Sequence, residues 1–187
     1  LTIQFDPYLN YFPNYIYMNP TPNYYEGLQW YYYTQSRVIR CGFELQADWK
    51  ILPSLSAEFK GEYLYAEQLS GEKKGYTLPF STPWSADATL RYAFCRKNVG
   101  NEGFVAMNMH VTGRQNNIVP PEKPTPGYYT LNLTAGKDFA FGERTLRLSL
   151  NAENLLNRKY YDHTSFYRLI DVPEPGRNVA LMATFEF

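Results

Sequence analysis

The chain has 187 residues with 18 basic and 18 acidic side chains, so its formal charge is zero and nucleic acid is not an expected partner. Aromatics make up 18%, including 18 tyrosines, which favours strands and surfaces that are dry at one end of a side chain and wet at the other. No apolar run is long enough for a transmembrane helix, and the mean hydropathy of -0.46 is equally compatible with barrel strands that average a polar and an apolar face.

Taken in chain order, period-two alternation dominates. Residues 2–18 alternate imperfectly around Pro7 and Pro13 and are expected to form a first strand. In the next segment Cys41, Phe43, Leu45, Ala47 and Trp49 alternate with Gly42, Glu44, Gln46 and Asp48. Leu55, Ala57, Phe59, Tyr63 and Tyr65 alternate with Ser56, Glu58, Lys60 and Glu62. Ala86, Ala88, Leu90, Tyr92 and Phe94 alternate with Ser85, Asp87, Thr89 and Arg91. Val105, Met107, Met109 and Val111 follow, then Tyr129, Leu131, Leu133 and Ala135, then Leu146, Leu148, Leu150 and Ala152. The last segment places Val179, Leu181, Ala183, Phe185 and Phe187 on one side. The count is about eight strands, with no helical pattern of useful length.

The connections alternate in length. Long ones are expected at 19–28, 68–83, 115–127 and 157–176, and short ones at 50–54, 97–102 and 140–144. Long loops at one end and tight turns at the other predict an all-β, antiparallel, up-and-down barrel of the outer-membrane kind. Alternation alone leaves two packings open. The apolar face points outward to lipid in a membrane barrel, and inward around a ligand in a soluble one. Aromatics at the ends of the apolar faces (Trp49, Tyr63, Tyr65, Phe94, Phe139, Phe185, Phe187) and strands of ten or more residues favour lipid.

Few residues point to chemistry. Cys41 and Cys95 have no metal or redox spacing, and opposite strand parity on alternate strands predicts that they are not bonded to each other. There is no nucleophile elbow, phosphate loop or zinc spacing, so neither an enzyme nor a bound cofactor is expected. Glu44 with Asp48 and Glu58 with Glu62 read as rungs of a polar face. Tyr24, Tyr25, Trp30, Tyr76, Phe80 and Trp84 cluster in or beside long loops, where they suit either a small-molecule ligand or interfacial anchoring. Arg114 enters a long loop and suits an anionic ligand. His163 and Arg168 fall in the loop motif "YYDHTSFYR", and His163 as a metal or haem ligand is the weaker reading beside a generic loop role.

Several ordered stretches resemble the C-terminal part of TonB-dependent outer-membrane receptors. They are "YYYTQSRVIRCGFELQADWKILPSLSAEFKGEYLYAE", "LPFSTPW", "YYTLNLTAGKDFAF", "ENLLNRKYYDH" and "PEPGRNVALMATFEF", of which "ENLLNRKYYDH" is the most specific. The resemblance implies that residues 1–187 are about eight C-terminal strands of a barrel of about 22, with the plug domain and earlier strands outside this chain. It implies a receptor in the bacterial outer membrane, exposed to membrane lipid. That receptor would take up a scarce nutrient (an iron-siderophore, haem or cobalamin) with energy from the TonB complex, contacted through the N-terminal plug. It also implies that the last strand, with Phe185 and Phe187, is read by the barrel-assembly machinery. A self-contained eight-stranded barrel of structural or adhesive role, or a soluble lipid-binding barrel, are the alternatives.

Overall fold

The computed structural model describes residues 1–94 and 102–186. Eight antiparallel strands form one sheet in strict chain order: β1 (Thr2–Tyr25), β2 (Leu28–Leu52), β3 (Leu55–Gln68), β4 (Ser85–Phe94), β5 (Gly103–Thr112), β6 (Tyr128–Phe141), β7 (Arg144–Glu153) and β8 (Asn178–Glu186). Each strand pairs with its neighbours in sequence, as short turns and simple loops dictate. The sheet is open. Among the described residues β1 and β8 are its edges and no ladder joins them, whereas a self-contained eight-stranded barrel requires that ladder.

Register settles which side chains share a face. Opposite partners lie on the same side, so one apolar surface runs across all eight strands. It passes from Leu9, Cys41 and Tyr65 through Phe59, Ala88, Met109 and Leu131 to Leu133, Ala152 and Val179. The opposite surface is largely polar, with rungs such as Asp6, Glu44, Glu62 and Ser85. Another polar rung carries Gln46, Lys60, Asp87, His110 and Thr130. Its side chains bond one another: His110 Nδ1 meets Asp87 Oδ2 at 3.0 Å, and Asn108 links to Asp87, Thr89 and Asn132. This face is laced with hydrogen bonds, whereas the apolar face leaves Phe43, Leu90, Met107 and Leu181 exposed, the two-faced pattern of a transmembrane barrel wall.

One expected loop is corrected. Residues 19–28 are strand, not a long connection, and a two-residue turn at Glu26 and Gly27 closes the hairpin with both residues at positive φ (49° and 82°). The Pro-Tyr run hid this strand because it lacks alternation. Pro20 and Pro22 fall where the pairing of β1 with β2 is irregular, with a register shift between Pro20 and Tyr24. A bulge between Phe12 and Tyr15 absorbs Pro13. The other long connections fall within a few residues of expectation, at 69–84, 113–127 and 154–177. Turns at 53–54 and 142–143 are short, and most of the expected turn 97–102 lies outside the described residues. The loop before β8 also contains a five-residue 3-10 helix, Phe166–Ile170, started by the Ser165 hydroxyl and stopped by Asp171 at φ 58°. Its length is too short for a helical period to register in the sequence.

Cys41 is a free thiol, and Cys95 lies outside the described residues, as does Phe187.

Candidate ligand-contact loops

The long-loop end of the sheet is packed rather than loose. Loop 69–84 folds over the polar side of β1 to β3 and buries Leu78 with Tyr17, Val38 and Ala66. Gln68 holds it there, accepting from the Tyr17 hydroxyl and donating to the Thr77 carbonyl at 2.7 Å. Loop 113–127 leans on it through Gln115, whose amide donates to the Ser81 carbonyl at 2.8 Å.

Loop 154–177 docks on both. Arg168 Nη2 donates to Glu122 Oε1 at 3.0 Å, and Arg168 Nε donates to the His163 carbonyl at 2.7 Å. The two charged side chains are 5% and 2% exposed. Burial pushes the Glu122 carboxyl up, against the pull of the Phe80 N–H and the Arg168 guanidinium. The imidazole of His163, 2% exposed, bonds Thr125 Oγ1 through Nδ1 at 2.8 Å. Burial, aided by the Arg168 charge and opposed by Asp162, pushes it down to about 4. His163 Nε2 and Glu122 Oε2 are buried without a hydrogen-bond partner among the described residues.

Aromatic rings cap this polar knot. Phe80 and Phe166 lie 4.6 Å apart, Tyr31 stands 6.2 Å and 6.3 Å from them, and the Arg168 guanidinium is 5.3 Å from the Phe80 ring. A cavity of about 230 Å³ opens beside the knot, with Tyr24, Gln29, Glu122, Tyr161 and Arg168 on its wall. Aromatic faces next to a few convergent polar groups are the surface expected for a small, partly flat ligand.

The sequence-nominated residues divide into two sets. Tyr24, Phe80, His163 and Arg168 converge at the three-loop junction. Tyr25 and Trp30 pair with each other at the hairpin tip, 6.4 Å apart, and Tyr76 is exposed on loop 69–84. Trp84 lies over Gly113, where a Cβ would come within 2.2 Å of its indole nitrogen, at the upper border of the apolar face. Arg114 is exposed at the top of β5. Sequence reading missed Glu122, Tyr31 and Phe166. Glu122 sits in the Pro-rich "VPPEKPTP", where a lone acid reads as solvated, and nothing in local spacing pairs it with Arg168, 46 residues away. Among the described residues, no group of three or more His, Cys, Asp or Glu is arranged to hold a metal ion.

An open, chain-ordered antiparallel sheet with one exposed apolar face, one largely polar face and its long loops gathered at one end has the architecture of a wall segment of a transmembrane β-barrel. Residues 1–155 match the family model for the TonB dependent receptor-like β-barrel, and the chain belongs to that family. Its members are outer-membrane proteins of Gram-negative bacteria, which places the chain in that membrane. Among solved structures it is similar to one titled "Copper transporter OprC", with 18% identity and a TM-score of 0.75 over 95% of this chain. The chain spans 27% of that structure's length. No curated protein matches the sequence.

Proposed function

We propose that residues 1–187 form the C-terminal wall and extracellular loops of an outer-membrane receptor that imports a scarce small-molecule nutrient using energy from the TonB complex. The observation that carries this reading is the family match over residues 1–155. The role is transport, not catalysis. The polar face would meet a plug domain that carries the TonB contact. Its acidic rung of Asp6, Glu44 and Glu62 suits cationic plug groups, since like charges directly opposite one another are otherwise unfavourable. The last strand, with Phe185 and Phe187, would be the segment read by the barrel-assembly machinery.

For the nutrient, the aromatic junction of Tyr31, Phe80 and Phe166 beside Arg168 supports an organic chelate or macrocycle: an iron-siderophore, haem or cobalamin. Tyr24, His163 and Arg168 stand at that junction, and Tyr25, Trp30, Tyr76, Trp84 and Arg114 form its wider rim. The test is uptake by cells that lack the gene and are complemented with the full-length receptor, supplied in turn with an iron-siderophore, haem, cobalamin and a free copper salt. Restored growth on one organic ligand, lost in a Phe80→Ala, Phe166→Ala variant that still reaches the surface, is expected. Growth restored by copper alone would overturn the ligand class. Uptake that persists without TonB would overturn the mechanism.

A further inference from the structure

A chain of hydrogen-bonded side chains leads from the polar face of the sheet into loop 154–177. It begins at Asp87 on β4, whose Oδ2 lies 3.0 Å from His110 Nδ1 on β5. The other ring nitrogen, His110 Nε2, lies 2.9 Å from Thr112 Oγ1. The Thr112 hydroxyl bonds that of Tyr128, its direct partner on β6. Tyr128 donates to Asp162 Oδ2 at 3.0 Å, and its ring stacks on Tyr160 at 4.1 Å. Asp162 Oδ1 accepts from the N–H and the hydroxyl of Thr164, and the residue between the two is His163 of the loop junction. Thr112 and Tyr128 are buried, so water does not compete for the middle links.

Both ends of this chain are carboxylates, which only accept when ionised. Asp87 therefore takes a proton held on His110 Nδ1, and Asp162 takes that of the Tyr128 hydroxyl. In a neutral imidazole Nε2 is then a lone pair that claims the Thr112 proton. The contact between Thr112 and Tyr128 is left with two oxygens and no proton. In the imidazolium, Nε2–H donates to Thr112, Thr112 donates to Tyr128, and every link carries one proton. The chain is complete only when His110 holds two protons. The charged groups facing the ring are Asp87 from β4, Lys60 and Glu62 from β3, Glu44 from β2 and Asp6 from β1, all on the wall of one cavity of about 340 Å³. From β6 the Tyr128 ring faces it at 6.1 Å.

We propose that His110 is a proton-operated tether, whose second proton completes the chain from Asp87 to Asp162 and tightens the docking of loop 154–177. Its bearing on nutrient capture rests on that loop being a ligand contact, whereas the test needs no ligand and stands apart from the nutrient's identity. The test is hydrogen exchange of the full-length receptor from about pH 8 to about pH 5, the range in which imidazoles change charge, corrected for the intrinsic exchange rate. A His163→Gln background removes the other imidazole from the profile. Over this range, exchange in loop 154–177 should slow about fivefold more than it does once His110→Gln is added, the effect of about one hydrogen bond gained. The contribution of Glu122 is common to both proteins and cancels. Tyr128→Phe keeps the ring that stacks on Tyr160 but breaks the chain, so it should lose the same extra slowing, with no further loss when combined with His110→Gln. Gln46→Ala, on the rung of His110 but outside the chain, should retain it. If Tyr128→Phe does not fold, as judged by heat-modifiable gel mobility, Thr112→Val breaks the same link. An equal pH dependence with and without His110 would overturn the tether. So would extra slowing that survives the break at Tyr128 or Thr112, or that is lost in Gln46→Ala as well.

Discussion

Replacing Arg168 by Ala removes two charge-assisted hydrogen bonds and leaves Glu122, at 2% side-chain exposure, with backbone hydrogen bonds from Phe80, at 3.0 Å, and Val119 but no counter-charge. Breaking a buried pair from one side costs about 3–5 kcal/mol, because the partner charge stays in a poor solvent. Spread over the local opening of loop 154–177, that is at least about a hundredfold in the opening equilibrium. Hydrogen exchange of the full-length receptor reads it directly, as faster exchange in 154–177 and 113–127 with β2, β3 and β6 unchanged. The defect has a pH signature. Burial already pushes the Glu122 carboxyl up, and losing the guanidinium pushes it further. A carboxyl whose docked pKa is raised binds its proton more tightly in the docked state, so docking is favoured at low pH and weakens as pH rises through that pKa. The variant should therefore be closer to wild type at pH 5 than at pH 8. Arg168→Met with Glu122→Gln should be milder than Arg168→Ala, since no charge is stranded. A change under about threefold in exchange at pH 8, or a double variant worse than the single one, would refute a docking knot built on this pair.

Four further outcomes are expected. His163 is held neutral down to about pH 4 whereas an opened loop titrates near 6.5, so loop docking should weaken as pH falls from about 6.5 to 4, by up to about 3 kcal/mol; His163→Gln should flatten that part of the exchange profile. In a background with Cys41 and Cys95 replaced by Ser, a Cys at 148 should react with a membrane-confined probe and a Cys at 149 should not, because Leu148 shares the face of Ala183 and Ser149 shares that of Gly136 and Met182; labelling at 149 alone would reverse the register. Leu148→Arg should destabilise the barrel by about 2–4 kcal/mol near the bilayer midplane, and Ser149→Arg far less, read by denaturant-induced unfolding. Asn154→Ala should lose the bonds to Arg158 and Pro175 and expose loop 154–177 to limited proteolysis, with the barrel itself intact.

The strands and their two faces were legible in the sequence because a strand's side-chain period is two and local. Leu146, Leu148 and Leu150 cannot share a face with Arg147 and Ser149 in any extended chain. Loop positions at 69–84, 113–127 and 154–177 were legible for the same reason, since alternation stops there. The hairpin extension of β1 and β2 was not, because Tyr17 to Tyr33 offers tyrosines and prolines on both faces and no contrast for a period to act on. The junction of Glu122, His163 and Arg168 was only half visible. His163 and Arg168 stand in a recognisable loop motif, but a carboxylate in a Pro-rich segment gains its meaning only when another loop removes water from around it. Which face meets lipid was likewise undetermined by alternation, which is identical in soluble and membrane barrels. Only the tertiary structure brings together the side chains that bond across strands on one surface, from Asp87 and His110 to Asn132, and lays out Leu90, Met107 and Leu181 as exposed apolar residues on the other.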